Sequence, residues 1–295
     1  MTWRISVSGT IDSDQVTTPH GTSPVMQGGS AVYFSLAAAP YAPVWLNGIV
    51  GQDRVDIARQ SLAKLPIHLD GLAVSDIATS RWIATHHADG TTTDHFSDEG
   101  ANAHWDAQIP MVAQVAETLF LASMHPTLQR RVLEQHTSRL IGLDTMTMFT
   151  GQDVDLVRDL IRAVDVLFVN RQELVSITGG TLDAWATAAQ SLIGDGRLRA
   201  VVVKGGAHGA ALVTAERVVE RAAHPVDAVI DPTGAGDALA GGFMGACAQA
   251  ERDDDVFMVT ALEAGLRSAA RAISAFGIDG LRPEMQPVPG PQGVT

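Results

Sequence analysis

In the run Asp231-Pro232-Thr233-Gly234-Ala235-Gly236-Asp237, a carboxylate follows two glycines at the point where a helix is due to begin. Pro232 stops the extended segment before it and Thr233 is suited to cap a helix, after which Ala238, Leu239, Gly242, Phe243 and Ala246 recur at helical spacing. Gly234 and Gly236, with Ala235 between them, leave backbone N–H groups bare, so the helix start can close on an anion in the favourable potential of the helix dipole. A phosphate is the natural guest. Asp237 falls in the first turn beside that pocket, where a carboxylate can take the proton of a hydroxyl as it attacks phosphorus. The combination points to phosphoryl transfer, with Gly234, Ala235 and Gly236 as the anion hole and Asp237 as the base. A plainer account makes Asp237 a mere complement to the helix dipole, worth about 0.3–1 kcal/mol. For this run alone the plainer account is the stronger, so the rest of the chain must decide.

The elements that would position these residues alternate between strand and helix. Residues 3–8 read as a first strand that runs into Gly9-Thr10-Ile11-Asp12-Ser13-Asp14, a polar turn at the strand's carboxyl end, where open α/β sheets bind ligands. Asp12 and Asp14 are placed there to accept hydrogen bonds from substrate hydroxyls. Residues 15–27 carry Pro19, Gly21 and Pro24 and suit an edge strand of a small exposed sheet. Gly28-Gly29 then opens a small-residue helix from Ser30 to Ala39, and a strand from Val44 to Val50 ends in Gly51-Gln52-Asp53, with Asp53 as cap of the next helix. Ser80 to Thr85 and Thr91 to Phe96 flank a turn at Ala88-Asp89-Gly90 as a hairpin. His20, His86, His87, His95 and His104 lie in these segments without metal-ligand spacing and read as solvent-facing.

Strands at 115–122, 140–144 and 164–169 follow, the last leading into Asn170-Arg171-Gln172-Glu173. Ala200 to Lys204 and Ala210 to Val213 flank a glycine turn containing Gly206 and Gly209. A small-residue helix from Glu263 to Phe276 is closed by Gly277, and the tail from Pro283 to Thr295 reads as loosely held. This alternation marks a mostly parallel sheet with helices on both faces.

A length of 295 residues with 46% hydrophobic content permits a full core in one large domain, and no apolar run is long enough to cross a bilayer. A net charge of −13 disfavours nucleic acid and anionic membranes as partners. Cys247, the single cysteine, excludes an intramolecular disulfide and reads as a small core residue in a reducing, cytoplasmic setting.

Taken in order, Gly9…Asp14, Gly28-Gly29, Gly51-x-Asp53, Asn170-x-x-Glu173, Gly206-x-x-Gly209 and Asp231-x-x-Gly234-Ala235-Gly236-Asp237 resemble the motifs of the ribokinase family, also called the PfkB carbohydrate kinases. The resemblance implies a ribokinase-like three-layer α/β sandwich over residues 1–295, with a small β-sheet lid inserted from segments near 13–27 and 78–105, through which two copies would pair. It implies ATP as donor with Mg2+, Glu173 acting through the metal's water shell, and K+ held by Asp231 and Thr233. Nucleotide contacts are implied for Asn170, Lys204, Gly206, Gly209, Thr233, Gly234 and Gly236. On the acceptor side it prefers Asp14 to Asp12 and adds Gly28 and Gly29; Arg81, the lone cation between Thr79 and Trp105, is a further candidate contact. The chain departs from the family at Tyr33, where an asparagine is usual, and a phenol cannot reproduce the amide's paired donor and acceptor.

The acceptor is read from charge. Between Asp12 and Tyr33 there is no Lys or Arg, and between Thr79 and Trp105 only Arg81, while Asp12, Asp14, Asp89, Asp94, Asp98 and Glu99 lie in the same stretches. A phosphorylated sugar needs convergent cations. The expected acceptor is therefore a small non-phosphorylated polyol such as a free sugar or cyclitol, phosphorylated on a primary alcohol. Tyr33 offers an aromatic face to a sugar or a base, which makes a nucleoside the alternative. A ligand-binding protein without turnover would not require Asp237, Gly234, Gly236 and Glu173 together. A nicotinamide-dependent dehydrogenase would need G-x-G-x-x-G after the first strand, and Gly9-Thr10-Ile11-Asp12 does not supply it.

Overall fold

The computed structural model describes residues 3–282, so the expectation for the tail from Pro283 lies outside the described residues. In chain order the strands are β1 (Ile5–Ser8), β2 (Asp12–Thr18), β3 (Gly21–Thr22), β4 (Met26–Gly28), β5 (Val44–Gly51), β6 (Ile67–Ser75), β7 (Arg81–His86), β8 (Thr92–Asp98), β9 (Thr118–Leu121), β10 (Leu140–Asp144), β11 (Val166–Asn170), β12 (Ala200–Lys204), β13 (Ala210–Val213) and β14 (Val218–Arg221). They form a nine-stranded sheet in the order β14-β13-β12-β11-β10-β9-β1-β5-β6 and a five-stranded sheet β3-β2-β7-β8 with β4 also on β2. From β6 across to β12 every pairing in the large sheet is parallel, and only β13 and β14 are antiparallel additions.

The central strands are unbroken apolar runs, as strands covered on both faces must be. Val166, Leu167, Phe168 and Val169 are all fully buried. Parallel order carries the carboxyl ends of the strands to one edge, which brings Asp144, Asn170 and Lys204 together there. An aromatic ladder locks the helices to this sheet: Phe34 stacks on Phe120 at 4.2 Å, Phe120 meets Phe168 edge-on at 5.6 Å, and Phe168 meets Phe243 edge-on at 5.4 Å. Phe243 belongs to the helix Ala235–Ala250, which begins at the Gly234–Gly236 run and packs against the helices Ser30–Ala38 and Asp255–Ala272. Its small residues allow that approach, since a Cβ on Gly241 would collide with the carbonyl oxygen of Phe34 and lie 2.9 Å from the Ala37 Cβ.

Four local expectations are corrected. Asp12 and Asp14 stand on β2 rather than in a turn, and β2 is an interior strand of the small sheet, between β7 on one side and β3 and β4 on the other. The sequence reading began this strand at residue 15, too late; Pro19 and Pro24 fall in the connections and leave Asp12–Thr18 free of glycine and proline. Asp53 does not cap the helix Val55–Leu62, whose N-cap is Arg54; its Oδ1 instead accepts the Thr79 N–H at 3.0 Å and O–H at 2.9 Å. The last long helix spans Asp255–Ala272, started by the Asp254 side chain, which accepts the Phe257 N–H at 3.1 Å, and it ends before Gly277.

Gly241→Ala should lower the free energy of unfolding by about 1–3 kcal/mol through overpacking, read as a lower urea midpoint at unchanged slope. Gly151→Ala, where an added Cβ meets nothing within 4 Å, should leave the midpoint at or above its original value.

Candidate active site

The helix start is set by Gly234, which is the N-cap with φ 72°. This corrects the expectation that Thr233 caps the helix; the left-handed backbone favours glycine, and a side chain at Gly234 would also collide with the ring of Tyr33. Thr233 has other ties. Its N–H donates to Asp231 Oδ1 at 2.9 Å, while Asp231 Oδ2 accepts the Gly277 N–H at 2.9 Å. The Thr233 hydroxyl pairs with His86 Nε2 at 2.9 Å. His20, His87, His95 and His104 are exposed as the sequence suggests, but the His86 side chain is only 11% exposed, because the end of β7 turns it toward this loop.

Asp237 opens onto a cavity of about 540 Å³. Burial, reinforced by Asp144 and resisted by Lys204, pushes its carboxyl up to about 8. On one side of it, Lys204 Nζ donates to Asp144 Oδ1 at 2.6 Å and lies 3.5 Å from the position of a Cβ on Gly236, so the ammonium borders the glycine start of the helix. Burial alone would depress the Lys204 ammonium, but Asp144, Glu173 and Asp237 outweigh it and hold it above its usual value. Asn170 and Glu173 form a reciprocal capping box: Glu173 N–H donates to Asn170 Oδ1 at 2.8 Å, and Asn170 N–H donates to Glu173 Oε2 at 2.9 Å. Thr145 Oγ1 also donates to Glu173 Oε2 at 3.2 Å, and burial raises the Glu173 carboxyl against the pull of Lys204. Gly206 and Gly209 bend the connection from β12 to β13 just beyond Lys204.

On the other side of Asp237, the cavity is lined by Asp12, Asp14, Gly29, Tyr33, Arg81, Thr233 and Gly234. Burial lifts the Asp14 carboxyl well above the usual range, aided by Asp12, Asp231 and Asp237 and opposed by Arg54. Gly28 is pressed against it, since a Cβ there would overlap the Asp14 carboxylate. Asp12 Oδ1 accepts a hydrogen bond from Asn102 Nδ2 at 2.7 Å. Tyr33 is 2% exposed and its hydroxyl has no hydrogen-bond partner in the structure. Burial and the surrounding carboxylates push the phenol well above its ordinary value, so it remains a hydrogen-bond donor.

The expected residues thus fall into two groups that meet at Asp237. Asp12, Asp14, Gly28, Gly29, Tyr33 and Arg81 gather on the small-sheet side, and Asn170, Glu173, Lys204, Gly206 and Gly209 on the large-sheet edge, with the Asp231–Asp237 loop between them. Sequence reasoning assigned no role to Asp144, Asn102 or His86. Asp144 carried a signal, an ionisable group at the end of a buried strand; Asn102 carried none, because only the fold brings it to Asp12. Lys204→Met leaves the 2% exposed Asp144 without its cation. This variant should lose about 3–5 kcal/mol of unfolding free energy in urea titrations at neutral pH.

Residues 27–284 match the family described as pfkB family carbohydrate kinase. The chain is 26% identical over 244 residues to the cytidine kinase of Thermococcus kodakarensis, a match covering 81% of this chain and 86% of that protein. The fold superimposes on Arabidopsis thaliana ribokinase complexed with ribose and ATP with a TM-score of 0.74 at 20% identity, covering 94% of each chain. It also superimposes on Salmonella enterica aminoimidazole riboside kinase complexed with aminoimidazole riboside and an ATP analog, with a TM-score of 0.75 at 20% identity over 95% of this chain and 96% of that one. With a family match over most of its length and a ribokinase-like arrangement of sheets, the chain belongs to the pfkB family of carbohydrate kinases, which are small-molecule phosphotransferases.

Proposed function

We propose that this protein transfers the γ-phosphoryl group of ATP to a primary hydroxyl of a non-phosphorylated nucleoside. The observation that carries the acceptor class is the mixed lining of the cavity. Asp12, Asp14, Tyr33 and Asp237 border it, and so do Trp105, Met124, Leu128 and Phe149, with the exposed Met146 and Met148. A sugar bound to the carboxylates leaves those apolar side chains wet, and a base joined to the sugar covers them. Arg131, which lines the same cavity, supplies a polar group for a base edge. The similarity to a cytidine kinase supports the same class. A free sugar or cyclitol is the second reading, favoured by Asp12 and Asp14, which accept hydrogen bonds from any polyol.

In this reading Asp14, and Asp12 held by Asn102, orient the sugar hydroxyls, and the Tyr33 hydroxyl donates to one of them. The acceptor hydroxyl gives its proton to Asp237 as its oxygen bonds to the γ-phosphorus. The bond from that phosphorus to the bridging oxygen breaks, and ADP leaves with the electron pair. Backbone N–H groups at Gly234, Ala235 and Gly236, with the Lys204 ammonium beside them, face the charge that develops on the transferring group. The small sheet acts as the lid that keeps water from competing with the acceptor.

Mg2+ fits the large-sheet edge as an ion carried on the nucleotide. The oxygen donors of Glu173 and Asp144 lie beside Lys204, and among the described residues no three His, Cys, Asp or Glu side chains form a cage, as suits a metal that keeps most of its waters. When bound, it would neutralise charge on the phosphates.

Two measurements test the reading. An ADP-release comparison at equal concentrations of nucleosides, free pentoses, cyclitols and sugar phosphates should rank a nucleoside first by kcat/KM. Preference for fructose 1-phosphate or fructose 6-phosphate would overturn it. Because the base must be deprotonated and Asp237 holds its proton up to about 8, kcat/KM should climb through the neutral range and level off above that value. Asp237→Asn should cost about 10²–10⁴-fold in kcat and remove this inflection, with nucleotide affinity kept.

A further inference from the structure

The family resemblance implies a monovalent cation on Asp231 and Thr233, but the groups at that turn are otherwise engaged. Asp231 is fully buried, and its two carboxylate oxygens accept the N–H groups of Thr233 and Gly277, each at 2.9 Å. The Thr233 hydroxyl lies 2.9 Å from His86 Nε2, and the same nitrogen stands 3.9 Å from Asp231 Oδ1. At the far side of the ring, Nδ1 pairs with Thr92 Oγ1 at 2.8 Å, so the imidazole is pinned at both ends. The nearby carboxylate favours the tautomer with the proton on Nε2, which turns an N–H donor toward the turn. A donor in that position opposes a cation, which requires converging oxygen ligands.

We infer that His86 takes the structural place of the monovalent cation, bracing the Asp231–Thr233 turn that aims the N–H groups of Gly234, Ala235 and Gly236, so that phosphoryl transfer by this chain does not depend on K+. His86 touches no reacting atom and is a positioning residue. It acts one residue before Gly234, whose left-handed backbone sets the direction of the helix start. It also rides on β7, whose first residues Arg81 and Trp82 line the acceptor cavity. The strand that borders the acceptor therefore also braces the phosphate turn.

The test compares the wild type, His86→Ala and His86→Gln in KCl and in choline chloride at equal ionic strength. Affinity for a non-hydrolysable ATP analogue and the melting temperature are read alongside turnover, and neither needs the acceptor to be known. In the wild type, exchanging choline for K+ should change kcat/KM and analogue affinity by less than about twofold and leave the melting temperature in place. His86→Ala should lose about tenfold in kcat through misplacement of the anion hole and should regain part of it with K+, its melting temperature rising with the salt. His86→Gln keeps an N–H on the Thr233 side and should recover most of the loss in choline. A wild-type protein that binds the analogue only in K+ overturns this inference and leaves the kinase reading intact, as does His86→Ala that matches the wild type in turnover and affinity. Failure to bind the analogue in either salt overturns both.

Discussion

The contact between Lys204 and Asp144, 2.6 Å long at the carboxyl edge of the large sheet, is the interaction on which the site rests. Asp144, Glu173 and Asp237 crowd this edge, and burial raises the carboxyls of Glu173 and Asp237. A single ammonium among them keeps its charge because the carboxylates together outweigh its own burial. Asp237 is left in the middle, raised by burial and by Asp144 and restrained by Lys204, at a value suited to a base working near neutrality.

That arrangement requires the helix Ala235–Ala250 to be delivered to the sheet edge at close range. Helix and strand meet through Phe168 and Phe243, and the adjoining helix Ser30–Ala38 comes within backbone distance only because Gly241 carries no side chain. The same helix Ser30–Ala38 carries Tyr33, whose ring covers Gly234. Packing of two helices thus fixes an aromatic ring, a left-handed glycine and a carboxylate relative to one another, which is the preorganisation that phosphoryl transfer demands.

Hydrogen bonds that join the small sheet and its flanking turns to the rest of the fold include Asp53 to Thr79 and His86 to Thr233. Hydrogen bonds of this kind exchange readily with water and contribute modestly each.

The sequence by itself determined the α/β class, the order of the central strands' motifs and the bare glycine start of the helix at Ala235, because these depend on local chemistry. Buried parallel strands must be apolar throughout, a helix start that binds an anion must be bare, and a capping box closes within four residues, so Leu140–Asp144, Gly234–Asp237 and Asn170–Glu173 were all legible. What only the tertiary structure decided is everything built from distant segments. Asn102 reaches Asp12 across 90 residues and His86 reaches Thr233 across 147, and neither pairing leaves a spacing to read. The apolar part of the cavity lining comes from residues near 105, 124–128 and 146–149, each of which looks like ordinary core or loop where it stands. Side-chain environment, which sets both burial and carboxylate basicity, is a property of the packed whole, and so the cavity lining and the contact of His86 with Thr233 emerged only when the sheets were assembled.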